Sequence, residues 1–321
     1  MNKKFNMKKF LSENSAVVAF VLLFVIAVCL KNTTFLNIRN LTNILLNNSI
    51  IGIVALGMTL IIITGGIDLS VGSQLAATGL FTITVFNQTG SIVLGIAAGI
   101  AMGMVMGLAT GALVAKCSIP AFIVTLGTMS IYRSVAQYFF KGGGILAQGD
   151  KVDAFVAISN TRLFGAIPLP ILYWLILAVI IGVFSNRVAT GRRIYAIGSN
   201  EKAAKLSGIN VDRVKIATYM ISGALVAAAS VVEASRLGSM NSASSGTSYE
   251  MDAIAAVVIG GTSMSGGKGK IIGTVFGTLT LGIIDNMMNM LGVPTFLVSA
   301  IKGAIIIIAV LFQRLLDTEK K

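Results

Sequence analysis

The chain has 321 residues, 55% of them hydrophobic and only 12% charged, with a formal net charge of +13 and no histidine. That balance excludes an ordinary soluble globular domain and describes a polytopic membrane protein of all-α class, whose surplus Lys and Arg anchor it near anionic lipid and need no nucleic acid. Without histidine, C-x-x-C, H-E-x-x-H or G-x-S-x-G the chain lacks the usual general base, zinc ligands and nucleophile elbow, so neither an enzyme nor a metal site is expected.

A crossing needs about 20 apolar residues, and ten stretches approach that length, some of them short or broken. The first, 16–30, follows Lys3, Lys4, Lys8 and Lys9 and has no A-x-A site beyond it, so it reads as a retained span with a cytoplasmic N-terminus. The second, 44–64, carries Asn47 and Asn48 and ends on Gly65-Gly66-Ile67-Asp68-Leu69-Ser70-Val71-Gly72, where the third, 69–86, begins. Asp68 is a charge near the inner face and a favoured helix N-cap. In the fourth, 92–115, Gly95, Gly99, Gly103, Gly107 and Gly111 recur every four residues and form a ridge for close packing or for sliding. The fifth, 119–139, contains Arg133. A long external loop, 140–170, then leads to a short sixth stretch, 171–184.

A basic island over 190–215 follows, within a cytoplasmic loop of 185–215. Ser199 or Asn200 caps a short helix, Glu201 sits at its positive end and Gly208 supplies the left-handed exit. Ala203, Ala204 and Leu206 offer a small apolar knob between Lys202 and Lys205. Such a knob fits a partner's groove or rests on lipid headgroups.

The seventh stretch, 214–234, contains Glu233. The eighth, 251–265, is short, carries Asp252 and ends on Gly260-Gly261-Thr262-Ser263-Met264-Ser265-Gly266-Gly267, which shares four of eight positions with the sequence from Gly65. Paired interruptions in two halves point to a translocation path, and two unrelated tight turns would look the same. Lys268 is followed by Gly269, so this is no phosphate loop, and an ATPase would have to be another chain. The ninth stretch, 271–291, repeats the glycine ridge at Gly269, Gly273 and Gly277 and carries Asp285, Asn286 and Asn289; the tenth, 296–316, carries Lys302. Asp285 and Lys302 lie at similar depth on adjacent antiparallel helices and are expected to pair, with double charge reversal as the test. With Arg133, Glu233 and Asp252 they form a polar vestibule on the outer side that either locks the bundle or contacts solute. Asn47, Asn48, Asn286 and Asn289 suit a neutral polyhydroxylated solute or interhelical hydrogen bonds.

Ten crossings place 17 of the 25 Lys and Arg residues inside, 6 outside and 2 within spans, the bias expected of a cytoplasmic N-terminus. Cys29 and Cys117, in or beside apolar runs, carry no redox message.

The run GRRIYAIGSNEKAAKLSGINV resembles the cytoplasmic coupling segment of permeases of ribose-type ABC sugar importers, within the larger family that includes branched-chain amino-acid permeases. NLTNIL, ALGMTLIIITGGIDLSVGS, FIVTLGTM, YEMDAIAAVVIGGTSMSGGKGKIIGT and IKGAIIIIAVL extend the resemblance over nearly the whole chain. It implies a single permease domain over 1–321 in a bacterial inner membrane, both termini cytoplasmic. It further implies a homodimer, an ABC ATPase partner that binds the ATP and Mg, and an external solute-binding protein. Gly198, Ser199, Asn200, Glu201, Lys202, Ala203, Ala204, Leu206 and Gly208 would couple to the ATPase. Gly65, Gly66, Asp68, Ser70, Asn47, Asn286, Asn289, Gly260 and Gly261 are the candidates for the translocation path. GGIDLSVGS favours ribose, whereas Asp285-Asn286-Met287-Met288-Asn289 departs from the pattern expected there. An ion-coupled secondary transporter using Asp68 or Asp285 is the alternative, and a membrane scaffold without solute flux is a third.

Overall fold

The structure, a computed structural model, describes residues 15–318. Lys3, Lys4, Lys8 and Lys9, which carry the sequence argument for orientation, lie outside the described residues. Each of the ten apolar stretches coincides with a helix, although the eighth, 251–265, is helical only to Ile259.

Helix α1 (Ser15–Phe35) breaks at Lys31, which has non-helical φ/ψ, and the chain beyond returns Phe35 onto Phe24 with ring centroids 5.4 Å apart. Helix α2 (Ile38–Ile63) starts on the Asn37 side chain, which accepts from Arg39 N, and is buried on all sides from Asn48 to its end. A helix apolar all round belongs in the centre. Next in the chain come α3 (Val71–Thr89), α4 (Ile92–Lys116) and α5 (Ala121–Phe140), with α3 packed on both α4 and α5.

The expected external loop has structure of its own. It holds strand β1 (Gly144–Leu146), the nine-residue α6 (Val152–Asn160) and the two-residue pair β2 (Arg162–Leu163) and β3 (Ile167–Pro168). Phe155 of α6 stacks on Phe86 at 5.0 Å, which pins this layer to the end of α3. Next comes α7 (Leu169–Arg187), 19 residues long, so the sixth stretch is a full-length helix where the sequence suggested a short one. Prolines at the start explain the difference: Pro168 precedes the helix and Pro170 fits its first turn, where a missing N–H costs nothing.

Two short helices, α8 (Ala189–Ser199) and α9 (Glu201–Leu206), precede the 27-residue α10 (Val211–Leu237). Strand β4 (Ser239–Asn241) pairs antiparallel with β1. Helix α11 (Tyr249–Ile259) has 11 residues, about 16 Å, half of a hydrocarbon core. Helices α12 (Ile271–Met290) and α13 (Thr295–Thr318) complete the bundle.

Five helices among the described residues, α2, α4, α7, α10 and α12, are long and apolar enough to cross a membrane. Helices α1 and α13 hold shorter apolar stretches, Ala16–Lys31 and Phe296–Ile308. Helix α3 has the length but not the apolarity, because Ser73, Gln74, Thr78 and Thr82 are spread along it, all four buried inside the protein.

Glycine ridges set the closest approaches. A Cβ on Gly95 or Gly99 would meet Thr82 of α3, and one on Gly103 or Gly107 would meet the backbone of α10 at Gly223 and Tyr219. In α12, Gly273 and Gly277 do the same against Gly260 and Ala256. Small residues let these backbones touch, as the spacing of four implied.

Candidate functional site

Two cavities, each lined by polar groups, lie at opposite ends of the bundle. At one end, α2 and α11 finish in the same way. Gly65 N–H donates to Ile62 O and Gly66 N–H to Ile61 O; Gly261 N–H donates to Val258 O and Thr262 N–H to Val257 O. These are two Schellman caps, with the left-handed position taken by Gly65 (φ 84°) and Gly261 (φ 82°). The structural equivalence therefore pairs Gly65 with Gly261, one residue away from the register that aligns Gly65 with Gly260. Apolar runs leave the last helical residue undefined, and only the cap geometry fixes it.

The basic island sits on both turns. A Cβ on Gly198 would run into Ile63 O and lie 2.5 Å from Gly267 N, and one on Gly267 would lie 2.6 Å from Ser199 Oγ. Gly267 N–H itself donates to Ile63 O at 2.9 Å, tying the two turns together beneath α8. Tyr195 Oη donates to Gly269 O at 3.1 Å; burial pushes this phenol up from its ordinary pKa, so it stays a neutral donor. Backbone contact at Gly198 makes α8 a rigid extension of the helix ends.

Helix α9 starts on Asn200, whose Oδ1 accepts from Ala203 N at 3.0 Å, and ends through Gly208 at φ 80°. Glu201, expected to act on the helix dipole, also pairs with Lys215 at 2.8 Å. Ala204 is 5% exposed and faces the body of the protein, whereas Leu206 is 90% exposed. The two are two residues apart, about 200° around a helix, and cannot share a face. The outward face of α9 is therefore Lys202, Ala203, Lys205 and Leu206, with Ala204 as its seat. Beside it a cavity of about 560 Å³ is lined by Gly65, Gly66, Glu201, Lys205, Lys215 and Tyr219, among others.

Asp68 belongs to this end but lines neither cavity. It is 1% exposed, and its Oδ1 accepts from Ser70 N at 2.8 Å and Ser70 Oγ at 2.6 Å. Ser70, not Asp68, takes the cap position of α3. Asp68 ties the turn between α2 and α3 from inside.

At the opposite end an open cavity of about 430 Å³ lies between α2, α10, α11, α12 and α13. Asn47, Asn286 and Asn289 line it, together with Asp285 and Lys302. Lys302 Nζ lies 3.0 Å from Asp285 Oδ2 and 2.9 Å from Asp252 Oδ1, so one ammonium bridges α11, α12 and α13. Asn286 exchanges two hydrogen bonds with Asn40, at 2.7 and 3.2 Å, and Arg236 Nη2 donates to Asn47 Oδ1 at 2.6 Å. Asn48 is buried and donates to Ile44 O within its own helix. Arg133 donates to Ser242 O and Ser245 O, securing the turn after β4.

Sequence reasoning did not single out Asn40, Asn43, Arg236 or Tyr249, all of which line or frame this cavity. Asn40 and Asn43 lie within NLTNIL, a motif noted for resemblance alone. The second partner of Lys302 was findable, since Asp252 in the first turn of α11 and Asp285 near the end of α12 both lie toward the outer ends of their helices. The cluster divides the candidate path: Asn47, Asn286 and Asn289 are at one end, and Gly65, Gly66, Asp68, Ser70, Gly260 and Gly261 at the other.

Residues 40–310 match the family described as branched-chain amino acid transport system / permease component. The ribose import permease protein of Haemophilus influenzae is 38% identical over 98% of this chain and 97% of its own length. Its namesake in Bacillus subtilis is 44% identical over 90% of this chain and 89% of its own. The L-arabinose transport system permease protein of Escherichia coli is 39% identical over 99% and 95%. No solved structure matches the chain.

Proposed function

The chain belongs to the branched-chain amino acid transport system / permease component family, and from that membership we propose that it forms the membrane path of an ATP-driven importer for ribose or a similar monosaccharide. The observation that carries the reading is the seating of α8 on both glycine turns, which leaves Leu206 of α9 uncovered at the end opposite the polar cavity. A partner that grips α9 moves α8, and α8 cannot move without the ends of α2 and α11. That is a rigid-body route from cytoplasmic work to the tilt of the bundle.

In this reading the ATP and Mg belong to a separate ABC ATPase, and sugar arrives from an external solute-binding protein. The permease acts as a homodimer embedded in lipid of the inner membrane, with ten passages, α11 being a partial one, and both termini cytoplasmic. Supporting the alternation, the turns after α2, α4, α7 and α11 gather at the α9 end, while those after α3, α5 and α10 gather at the other. The coupling loop spans 185–215 and the external layer 140–170. Solute enters past Asn47, Asn286 and Asn289 and leaves past Gly65 and Gly66, while Asp68, Ser70, Gly260 and Gly261 brace the turns between. Ribose is favoured over other sugars by the 44% identity to the ribose import permease of Bacillus subtilis, against 39% to the L-arabinose permease of Escherichia coli.

The test is uptake of radiolabelled D-ribose into proteoliposomes containing the permease with a candidate ABC ATPase and a ribose-binding protein. Uptake is expected only when ATP and both partners are present, and is expected to persist when proton and sodium gradients are collapsed. Uptake driven by an imposed ion gradient without the ATPase would instead identify an ion-coupled transporter.

A further inference from the structure

The outer cavity has two properties that a mere seam between helices would not combine. It is large enough for a small ligand, at about 430 Å³, within the usual range for such sites. Its charges are also balanced and already committed: Lys302 is held by Asp252 and Asp285, and the Arg236 guanidinium donates to Asn47. Two cations and two carboxylates sum to zero on the wall. A charged solute entering here would have to break one of these pairs in a low-dielectric surrounding, where an unpaired charge is costly. A neutral solute leaves them intact.

Hydrogen-bonding capacity nevertheless remains. Asn43 and Asn289 present exposed amides at the cavity. Amides offer donors and acceptors together, so vicinal hydroxyls of a sugar ring can be met from more than one side. The Tyr249 side chain adds an aromatic element at the wall.

We propose that this cavity is a binding subsite of the permease itself for one unphosphorylated monosaccharide, a station between delivery from outside and passage through the bundle. The proposal rests on the importer reading above and adds to it a ligand contact within this chain. Affinity is expected to be weak, in the range of about 1 mM, since a tight site would hold the sugar against its onward movement.

Binding of D-ribose and of D-ribose 5-phosphate is measured by saturation-transfer NMR on the full-length permease in nanodiscs, with no ATPase or binding protein. Saturable binding of ribose and none of the phosphate is expected. Asn289→Leu and Asn43→Leu, both on exposed positions and so compatible with folding, are each expected to weaken ribose binding by roughly three- to tenfold, the worth of one hydrogen bond. Lys302→Met, checked for folding by its melting temperature, is expected to admit the phosphate no better, because removing the cation leaves two carboxylates facing it. The proposal is overturned by absence of saturable ribose binding, by equal binding of ribose 5-phosphate, or by binding that neither asparagine variant alters. The binding arm needs no partner, so it can fail while ATP-driven uptake succeeds, and it can succeed if uptake proves to be driven otherwise.

Discussion

Lys302 holds two carboxylates, and this changes what charge reversal does. Exchanging Asp285 and Lys302 as a simple pair would restore attraction between α12 and α13 but would leave Asp252 facing a glutamate. Lys302→Glu alone is expected to cost about 1–3 kcal/mol, between the values for exposed and buried pairs, because all three side chains are partly exposed. Asp285→Lys in that background should recover only part of the folded yield, and adding Asp252→Asn should recover more, as read by size-exclusion profiles of a fluorescent fusion. Equal recovery in the double and triple variants would mean that Asp252 carries no share. On α9 the two apolar residues separate in the same spirit. Ala204→Leu is expected to lower the melting temperature, since it overpacks a buried seat by roughly 1–3 kcal/mol. Leu206→Asp should leave the melting temperature unchanged and reduce uptake, since Leu206 touches little of its own chain.

At the scale of the element, what the sequence made legible was whatever depends on spacing. Glycines every four residues define a face, and Gly103, Gly107, Gly273 and Gly277 are found packed against neighbouring backbones. The cap of α9 was legible too, because Asn200, Glu201 and Gly208 each act within one helical turn. What was not legible depends on partners far along the chain. Nothing local says that Gly198 meets both Ile63 and Gly267, or that Val152–Asn160 folds back through Phe155 onto Phe86. The contact at Gly198 carries a strong expectation: Gly198→Val pushes a side chain into backbone that cannot yield, so α8 must lift from the turns. Loss of coupling is expected even where protein persists in the membrane, seen as ATP hydrolysis by the assembled complex without sugar uptake.

Across the whole molecule, the turns sort to two ends, and five described helices have the length and apolarity of independent spans, against the ten passages proposed. Two of the other helices fall short for a physical reason: α3 presents buried Ser, Thr and Gln to other helices, and α11 is too short to cross unaided. Such segments depend on protein, not lipid, to satisfy their polar groups. Single cysteines introduced at Leu206 and Phe164 in a background lacking Cys29 and Cys117 should therefore label from opposite sides: the first with an impermeant maleimide in inside-out vesicles, the second in right-side-out vesicles. Labelling of both from one side would refute the arrangement.

In the proposed importer, cytoplasmic ATP work enters through the exposed face of α9 and leaves as solute movement past the polar cavity. Its most direct test is the number of ribose molecules taken up per ATP hydrolysed, compared between wild-type and Leu206→Asp permease in the same proteoliposomes with both partners. A fixed ratio in the wild type and a clear fall in the variant is the predicted result. An unchanged ratio and unchanged uptake in the variant would contradict it.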